Sequence, residues 1–336
     1  MDATSRILIT GGGGFIGAHL AAAGLARGLD VHVTTRPGSD AGRVDRLAPR
    51  AIRHEVDLRD RAALRRCLRA ARPHVVFHLA ASPRRPLRSD LEDVADFVSE
   101  DLGGLVRLLQ EASSAPHPPA AFVRSGSIAE YGEAPLPHVE ERREQPVTAY
   151  GASLVAASQI VASLGSRLPF PAVTARFGLV YGPEQAADYF IPQAIAACLA
   201  GDGFMVRRSQ DRRDLVFVED VAEALLRIGH APSLQPGIVN VASGSAPSMG
   251  EIAEVIAGIV GMDSRRLALR EDGPPTGAPH LCLDVSKVRS LFGWQATTPL
   301  REGLTRTVNW TRRRTAHAIA DPLQSGTPAV LHCAGA

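Results

Sequence analysis

Ile7-Leu8-Ile9-Thr10-Gly11-Gly12-Gly13-Gly14-Phe15-Ile16-Gly17 runs from an apolar β-type segment through four glycines into the helical pattern Ala18 to Ala26. Gly11, Gly14 and Gly17 keep a G-x-x-G-x-x-G spacing. The first allows a sharp turn, the second lets backbone N–H groups approach a pyrophosphate at the helix N-terminus, and the third lets helix and strand pack closely. A glycine triplet by itself also fits a plain tight turn. Its place between strand and helix, together with the segments downstream, points to a dinucleotide cradle.

Outward from that turn, β-type runs alternate with helical patterns, the arrangement of a parallel sheet covered on both faces. Strands are predicted at Arg6–Thr10, Val31–Thr35, Ile52–Glu55, Val75–Leu79, Ala121–Ser125 and Ala172–Phe177, with helices between them at Ala62–Ala70, Gly104–Ala112 and Ala152–Leu164. After Phe177 the alternation breaks up. A helix near Pro192–Ala200, a strand at Leu215–Val218, a helix at Val221–Gly229, a strand at Ile238–Val241 and helices at Met249–Val260 and from Leu300 to about Arg312 follow. The expected fold is α/β: a Rossmann-type doubly wound sheet over 1–177, rejoined by 214–242, with a smaller C-terminal lobe from 178–213 and 243–314. The stretch 315–336 lacks periodicity and reads as a flexible tail.

The chain of 336 residues is long enough for a buried core, and its net charge of +2 leaves no broad basic face for nucleic acid. Four cysteines, Cys67, Cys198, Cys282 and Cys333, stand without CxxC spacing, so no zinc site or disulfide frame is expected and no metal ligand is assigned. No apolar run reaches membrane-spanning length and no leader pattern precedes the first strand, which makes a cytoplasmic protein the expectation. Lys287 is the one lysine of the chain.

At the nucleotide end, Asp57 in Val56-Asp57-Leu58 can accept from an adenine amino group with the Leu58 backbone as partner; capping the next helix is the plainer alternative. NAD-preferring folds close their second strand with an acidic residue that holds the ribose hydroxyls. Here the strand ends Thr34-Thr35-Arg36, with Ser39 and Arg43 behind it. A guanidinium fork suits a 2′-phosphate, so NADP(H) is the preferred cofactor and NAD(H) the alternative. His78-Leu79-Ala80-Ala81 closes the fourth strand with small residues that can line a cofactor. His19 and His78 read as packing or hydrogen-bonding residues.

Taken together these residues resemble the extended short-chain dehydrogenase/reductases, the NAD(P)-dependent epimerase/dehydratase family that acts mostly on nucleotide sugars. The resemblance spans roughly Arg6 to Thr311. It includes Arg124-Ser125-Gly126-Ser127-Ile128-Ala129-Glu130-Tyr131-Gly132, Tyr150-Gly151-Ala152-Ser153, Arg176–Pro183, Arg213–Val221, Asn240–Gly244 and Leu291-Phe292-Gly293-Trp294. It implies Ser127 and Tyr150 as catalytic hydroxyls. It implies cofactor contacts at Gly11, Gly14, Phe15, Ile16, Gly17, Arg36, Asp57, Leu58, Leu79, Ala80, Ala81 and Tyr150. Substrate contacts are implied at Ser82, Glu130, Leu179 and Arg213, with Glu130 facing a sugar and Arg213 holding a diphosphate. A homodimer through the helices Gly104–Ala112 and Ala152–Leu164 is a further implication.

Three positions depart from the family pattern: Leu154 stands where Tyr-x-x-x-Lys has its lysine, Asp101 replaces an asparagine, and Leu179 replaces the asparagine before Val-Tyr-Gly-Pro. Arginine carries almost all positive charge in this chain, yet position 154 is leucine, so the charge itself is lost. Tyr150 and Leu154 are one helical turn apart and share a face. Without a neighbouring cation a phenol titrates near 10, or higher if buried, leaving about one part in a thousand ionised at pH 7. That is a handicap of about 4 kcal/mol for a step that needs a base. Oxidation of an alcohol needs one, whereas reduction of a ketone needs a proton donor. The residues therefore favour an NADPH-dependent ketoreductase, and the family resemblance implies a nucleotide-diphosphate keto-sugar as its substrate. A sugar epimerase or dehydratase with a substitute for lysine is the second reading, and a retained fold in a non-redox or binding role the third.

Overall fold

Thirteen strands occur among residues 5–81, 88–273 and 278–320, which the computed structural model describes. In chain order they are β1 (Arg6–Thr10), β2 (Asp30–Thr35), β3 (Ile52–Glu55), β4 (Val75–His78), β5 (Ala121–Ser127), β6 (Ala172–Phe177) and β7 (Leu179–Tyr181). There follow β8 (Phe204–Val206), β9 (Arg212–Arg213), β10 (Leu215–Phe217), β11 (Gly237–Val241), β12 (Leu267–Leu269) and β13 (His280–Leu281). Seven of them form one parallel sheet in the order β11-β6-β5-β4-β1-β2-β3. Strand order reverses between β1 and β4, which opens a crevice at their carboxyl ends where an open α/β sheet takes its ligand.

Both faces of this sheet are covered, which is why strands in its middle are buried at successive positions rather than alternately. Ile7 and Ile9 point into one layer with Leu20 and Ala21 of helix Phe15–Ala26 and Val221 and Leu225 of helix Val218–Gly229. Leu8 points the other way, into a layer with Leu64, Leu68, Leu105, Leu108 and Val161 of helices Arg61–Ala71, Gly103–Ser113 and Ala149–Ser163. Asp60 caps the first of these three, accepting from the backbone of Ala62 and Ala63 at 2.8 and 3.0 Å.

A smaller lobe packs Ile191, Ile195, Ile252, Ile256, Leu304 and Val308 from helices Phe190–Ala200, Met249–Val260 and Leu300–Ala320. Three two-stranded parallel pairs, β7–β10, β8–β12 and β9–β13, tie its loops together.

The predicted boundaries need two corrections. β10 does not return to the main sheet; it pairs with β7, so only helix Val218–Gly229 and β11 rejoin the nucleotide-binding layer from 214–242. The last helix does not stop near Arg312 but runs to Ala320, which removes 315–320 from the expected flexible tail. Arginine favours helix, and Arg312 donates to the Val260 carbonyl at 3.3 Å while Arg314 reaches Glu184 at 3.4 Å and lies over the Trp310 ring. The remainder of that tail, 321–336, lies outside the described residues.

Candidate active site

The glycine turn after β1 is shaped for close approach. Gly11 has φ +76°, and a Cβ there would lie 2.8 Å from the Ala80 nitrogen. A Cβ on Gly17 would run into the Gly11 carbonyl, so helix and turn meet only because both lack side chains. Gly14 is the N-cap of helix Phe15–Ala26; no side chain caps it and no acidic residue stands in the first turn. First-turn N–H groups and the helix dipole there suit a pyrophosphate, so the residues fit a dinucleotide.

Two adjoining cavities flank this turn and share Gly11, Gly14, Leu79 and Ala81. The smaller, about 240 Å³, is lined by Thr34, Arg36, Asp57, Leu58, Arg59, Ala80, Glu100 and Asp101 as well. Asp57 is gripped by Arg59, whose Nη2 lies 2.7 Å from Oδ2 and whose backbone N–H donates to Oδ1 at 2.8 Å. The guanidinium holds this carboxyl below the usual carboxylate range. Arg36 is exposed at the cavity wall, and Ser39 donates to the Arg36 carbonyl at 2.7 Å, which fixes the turn. Arg43 is turned away toward the Glu184 carbonyl, 2.9 Å from Nε, and lines the larger cavity. His78 bonds Thr10 Oγ1 at 2.7 Å and His19 the Pro183 carbonyl at 2.9 Å, both within the framework.

The larger cavity, about 700 Å³, holds Phe15, Ile16, Ser127, Tyr150, Leu154 and Leu179 in its wall. β5 delivers Ser127 at its carboxyl end, and Thr148 caps the helix that carries Tyr150, accepting from Gly151 N at 3.0 Å. Ser127 and Tyr150 share this wall, and Ser127 acts to lower the pKa of the Tyr150 phenol. Burial pushes that phenol above its ordinary value; Glu130 and Tyr189 push the same way, while Arg124 and Ser127 oppose them. Leu154 is 8% exposed and presents only carbon where the family has an ammonium.

Of the three expected substrate contacts among the described residues, Leu179 alone is in the cavity wall. Glu130 faces inward, not toward a sugar. It is fully buried, accepts from Arg176 Nε at 2.9 Å and Ser158 Oγ at 2.7 Å, and closes a capping box on the Ser127 backbone at 3.1 Å. Its work is to hold the turn that presents Ser127. A Cβ at Gly126 would strike this carboxylate, so the glycine beside Ser127 was a sign of the inward orientation. Arg213 is likewise turned from the cavity; its Nη2 donates to Asp211 Oδ2 at 3.0 Å and its Nη1 to the carbonyls of Pro279 and Arg212 at 2.9 Å each. Ser82 lies outside the described residues.

Sequence reading missed Arg124. It sits in mid-strand on β5, buried, and donates to Ser158 Oγ at 3.0 Å and to the Leu154 carbonyl at 3.3 Å. An arginine inside an otherwise apolar Phe-Val-Arg run was the available signal, since a buried guanidinium must find partners.

A nucleotide cradle on a doubly wound sheet, with Ser127 at a strand end and Tyr150 on the adjoining helix, defines an enzyme of the extended short-chain dehydrogenase type. The chain belongs to the NAD-dependent epimerase/dehydratase family, whose model matches residues 7–242. It is 28% identical over 316 residues to a putative UDP-glucose 4-epimerase of Methanocaldococcus jannaschii, covering 90% of this chain and 97% of that one. Among solved structures it resembles MoeE5 in complex with UDP-glucuronic acid and NAD, with TM-score 0.80, 28% identity and coverage of 92% and 100%. It also resembles the Thermus thermophilus UDP-glucose 4-epimerase complex with NAD, with TM-score 0.78, 28% identity and coverage of 91% and 99%. The related structures bind NAD.

Proposed function

We propose that this protein is an NAD(P)H-dependent carbonyl reductase in which Ser127 and Tyr150 hold the carbonyl oxygen and Tyr150 supplies the proton. The carrying observation is the pairing of a buried phenol, pushed above its ordinary value, with Leu154 in place of a cation. When bound, the cofactor supplies the hydride. The chain's own residues polarise and protonate: Ser127 donates to the carbonyl oxygen, and the neutral phenol gives its proton as negative charge builds there. Arg36 at the adenosine end supports NADPH over NADH, because a guanidinium fork matches a 2′-phosphate.

The opposite direction begins with removal of a proton from an alcohol, and a phenol shifted upward is a poor base for it. The second reading, a nucleotide-sugar epimerase or dehydratase, is favoured by the names of the relatives. In that case another group must take over from the lysine, and Arg124, which opposes the upward shift of Tyr150, is the candidate. The two readings separate in one assay. Nicotinamide absorbance followed with a ketone and reduced cofactor, and with the matching alcohol and oxidised cofactor, gives the rate in each direction. A reductase shows reduction that collapses in Tyr150→Phe and slow oxidation at pH 7. Comparable rates in both directions, or turnover that survives Tyr150→Phe, sink the proposal.

A further inference from the structure

We infer that the substrate half of the large cavity takes a neutral carbonyl compound with an extended apolar body and no diphosphate. The inference rests on the reductase reading for where the carbonyl sits, at Ser127 and Tyr150. It concerns what lies beyond that point.

Leu179, Phe190, Ile191, Leu215, Met249 and Ile252 form the wall that continues from the serine–tyrosine pair. Among the described lining residues Arg43 is the one charged side chain, and its Nε is committed to the Glu184 carbonyl. The amide of Gln185 donates to the Val180 carbonyl at 3.0 Å. Burying a multiply charged diphosphate against such a surface costs free energy that cations must offset, and Arg43 is the one cation in the described lining.

The cation that matches the family's diphosphate position is engaged within the protein. Arg213 is 8% exposed and Asp211 4% exposed, and the two are paired. Asp211 is held a second time by Arg208, whose Nε and Nη2 lie 2.9 Å from its two oxygens. A diphosphate would have to displace a buried carboxylate clamped by two guanidiniums. The amide that the family pattern places at position 179 is replaced by a hydrocarbon. Wall, cation and amide thus all differ from what a nucleotide diphosphate needs, and all three suit an apolar chain or ring system.

The test uses the full chain saturated with oxidised cofactor, so that no turnover occurs, and calorimetric titration with 2-hexanone, 2-octanone, 2-decanone and UDP. Affinity should rise about fourfold per methylene, and UDP should not bind at 1 millimolar, an order-of-magnitude ceiling for weak ligands. Leu179→Asn and Ile252→Asn should each weaken 2-decanone by about tenfold, with cofactor binding retained as the sign of a folded protein. Affinity that is absent or independent of chain length overturns the inference, as does micromolar UDP binding. The reductase reading is judged separately, by oxidation of reduced cofactor with 2-octanone in the wild type and in Tyr150→Phe. Graded binding without Tyr150-dependent turnover defeats that reading alone; turnover of a nucleotide keto-sugar with UDP binding defeats the substrate class alone.

Discussion

The guanidinium of Arg124 donates through Nη2 to the main-chain carbonyl of Leu154 at 3.3 Å. The charge missing from the side chain at 154 is therefore present on the neighbouring strand β5, bonded to the backbone of that residue. From there it opposes the upward shift of Tyr150, and it does not line the large cavity. Arg124 also donates to Ser158, which donates to Glu130, which accepts from Arg176. A buried polar chain thus links the helix bearing Tyr150 to the turn bearing Ser127.

Leu154→Lys restores the family residue beside Tyr150. An ammonium one helical turn from the phenol lowers its pKa, so oxidation of an alcohol at pH 7 should accelerate by more than tenfold while reduction changes little. The new charge enters beside Arg124, and a stability loss of about 1–2 kcal/mol is expected from burying it imperfectly. Rates in both directions across pH 6 to 10 check this. An oxidation rate unchanged from wild type at every pH counts against Tyr150 as the group that titrates.

Arg36→Ala should erase a preference for the phosphorylated cofactor. A charge-assisted contact of about 1.5–3 kcal/mol corresponds to roughly 10- to 150-fold in affinity. Fluorescence titration with NADPH and NADH, for wild type and variant, measures it. Equal affinities in the wild type remove Arg36 from cofactor selection.

Glu130→Ala removes the carboxylate from a fully buried pair and opens the capping box at Ser127. Breaking a buried pair costs about 3–5 kcal/mol, and the low end is expected because Arg176 keeps Glu144 as a second partner. Reduction should fall as well, through displacement of Ser127. Urea unfolding and steady-state rates test both halves; a variant as stable as wild type contradicts the anchoring role.

Acid should destabilise the fold through His78. Burial holds this imidazole at about 3, below the ordinary value near 6.5. As pH falls past 6.5 the unfolded chain binds a proton that the folded chain refuses, so stability drops until pH nears 3 and then levels off, by up to about 1.4 kcal/mol per pH unit for one group. Above pH 6.5 this residue has no effect. His138, lowered to about 4 mainly by burial, adds a parallel contribution. His78→Asn should flatten the slope between pH 6.5 and 4.5 in urea melts, and an unchanged slope would falsify the assignment.

Much of the scaffold was legible along the chain. β1, β3 and β6 start and stop where the sequence reading places them, and Met249–Val260 coincides with its helical pattern. Ser127, Tyr150 and the absent lysine came from the family resemblance, and the cavity wall contains all three positions. The end of the last helix was missed because Arg312 and Arg314 are anchored by Val260 and Glu184, contacts far away in sequence.

The sequence by itself determined the α/β order, the glycine cradle and the leucine one helical turn after Tyr150, since these depend on residues a few positions apart. Only the tertiary structure decided where Glu130, Arg213 and Arg124 point. A charged side chain turns toward the cleft or the core according to which partner can satisfy it, and those partners arrive with other elements. Arg176 reaches Glu130 because β6 pairs with β5. Arg213 is held by Asp211 two residues earlier and by the Pro279 carbonyl, which β13 brings alongside β9. The sequence places the charges along the chain; the pairing of strands decides which of them a substrate can meet.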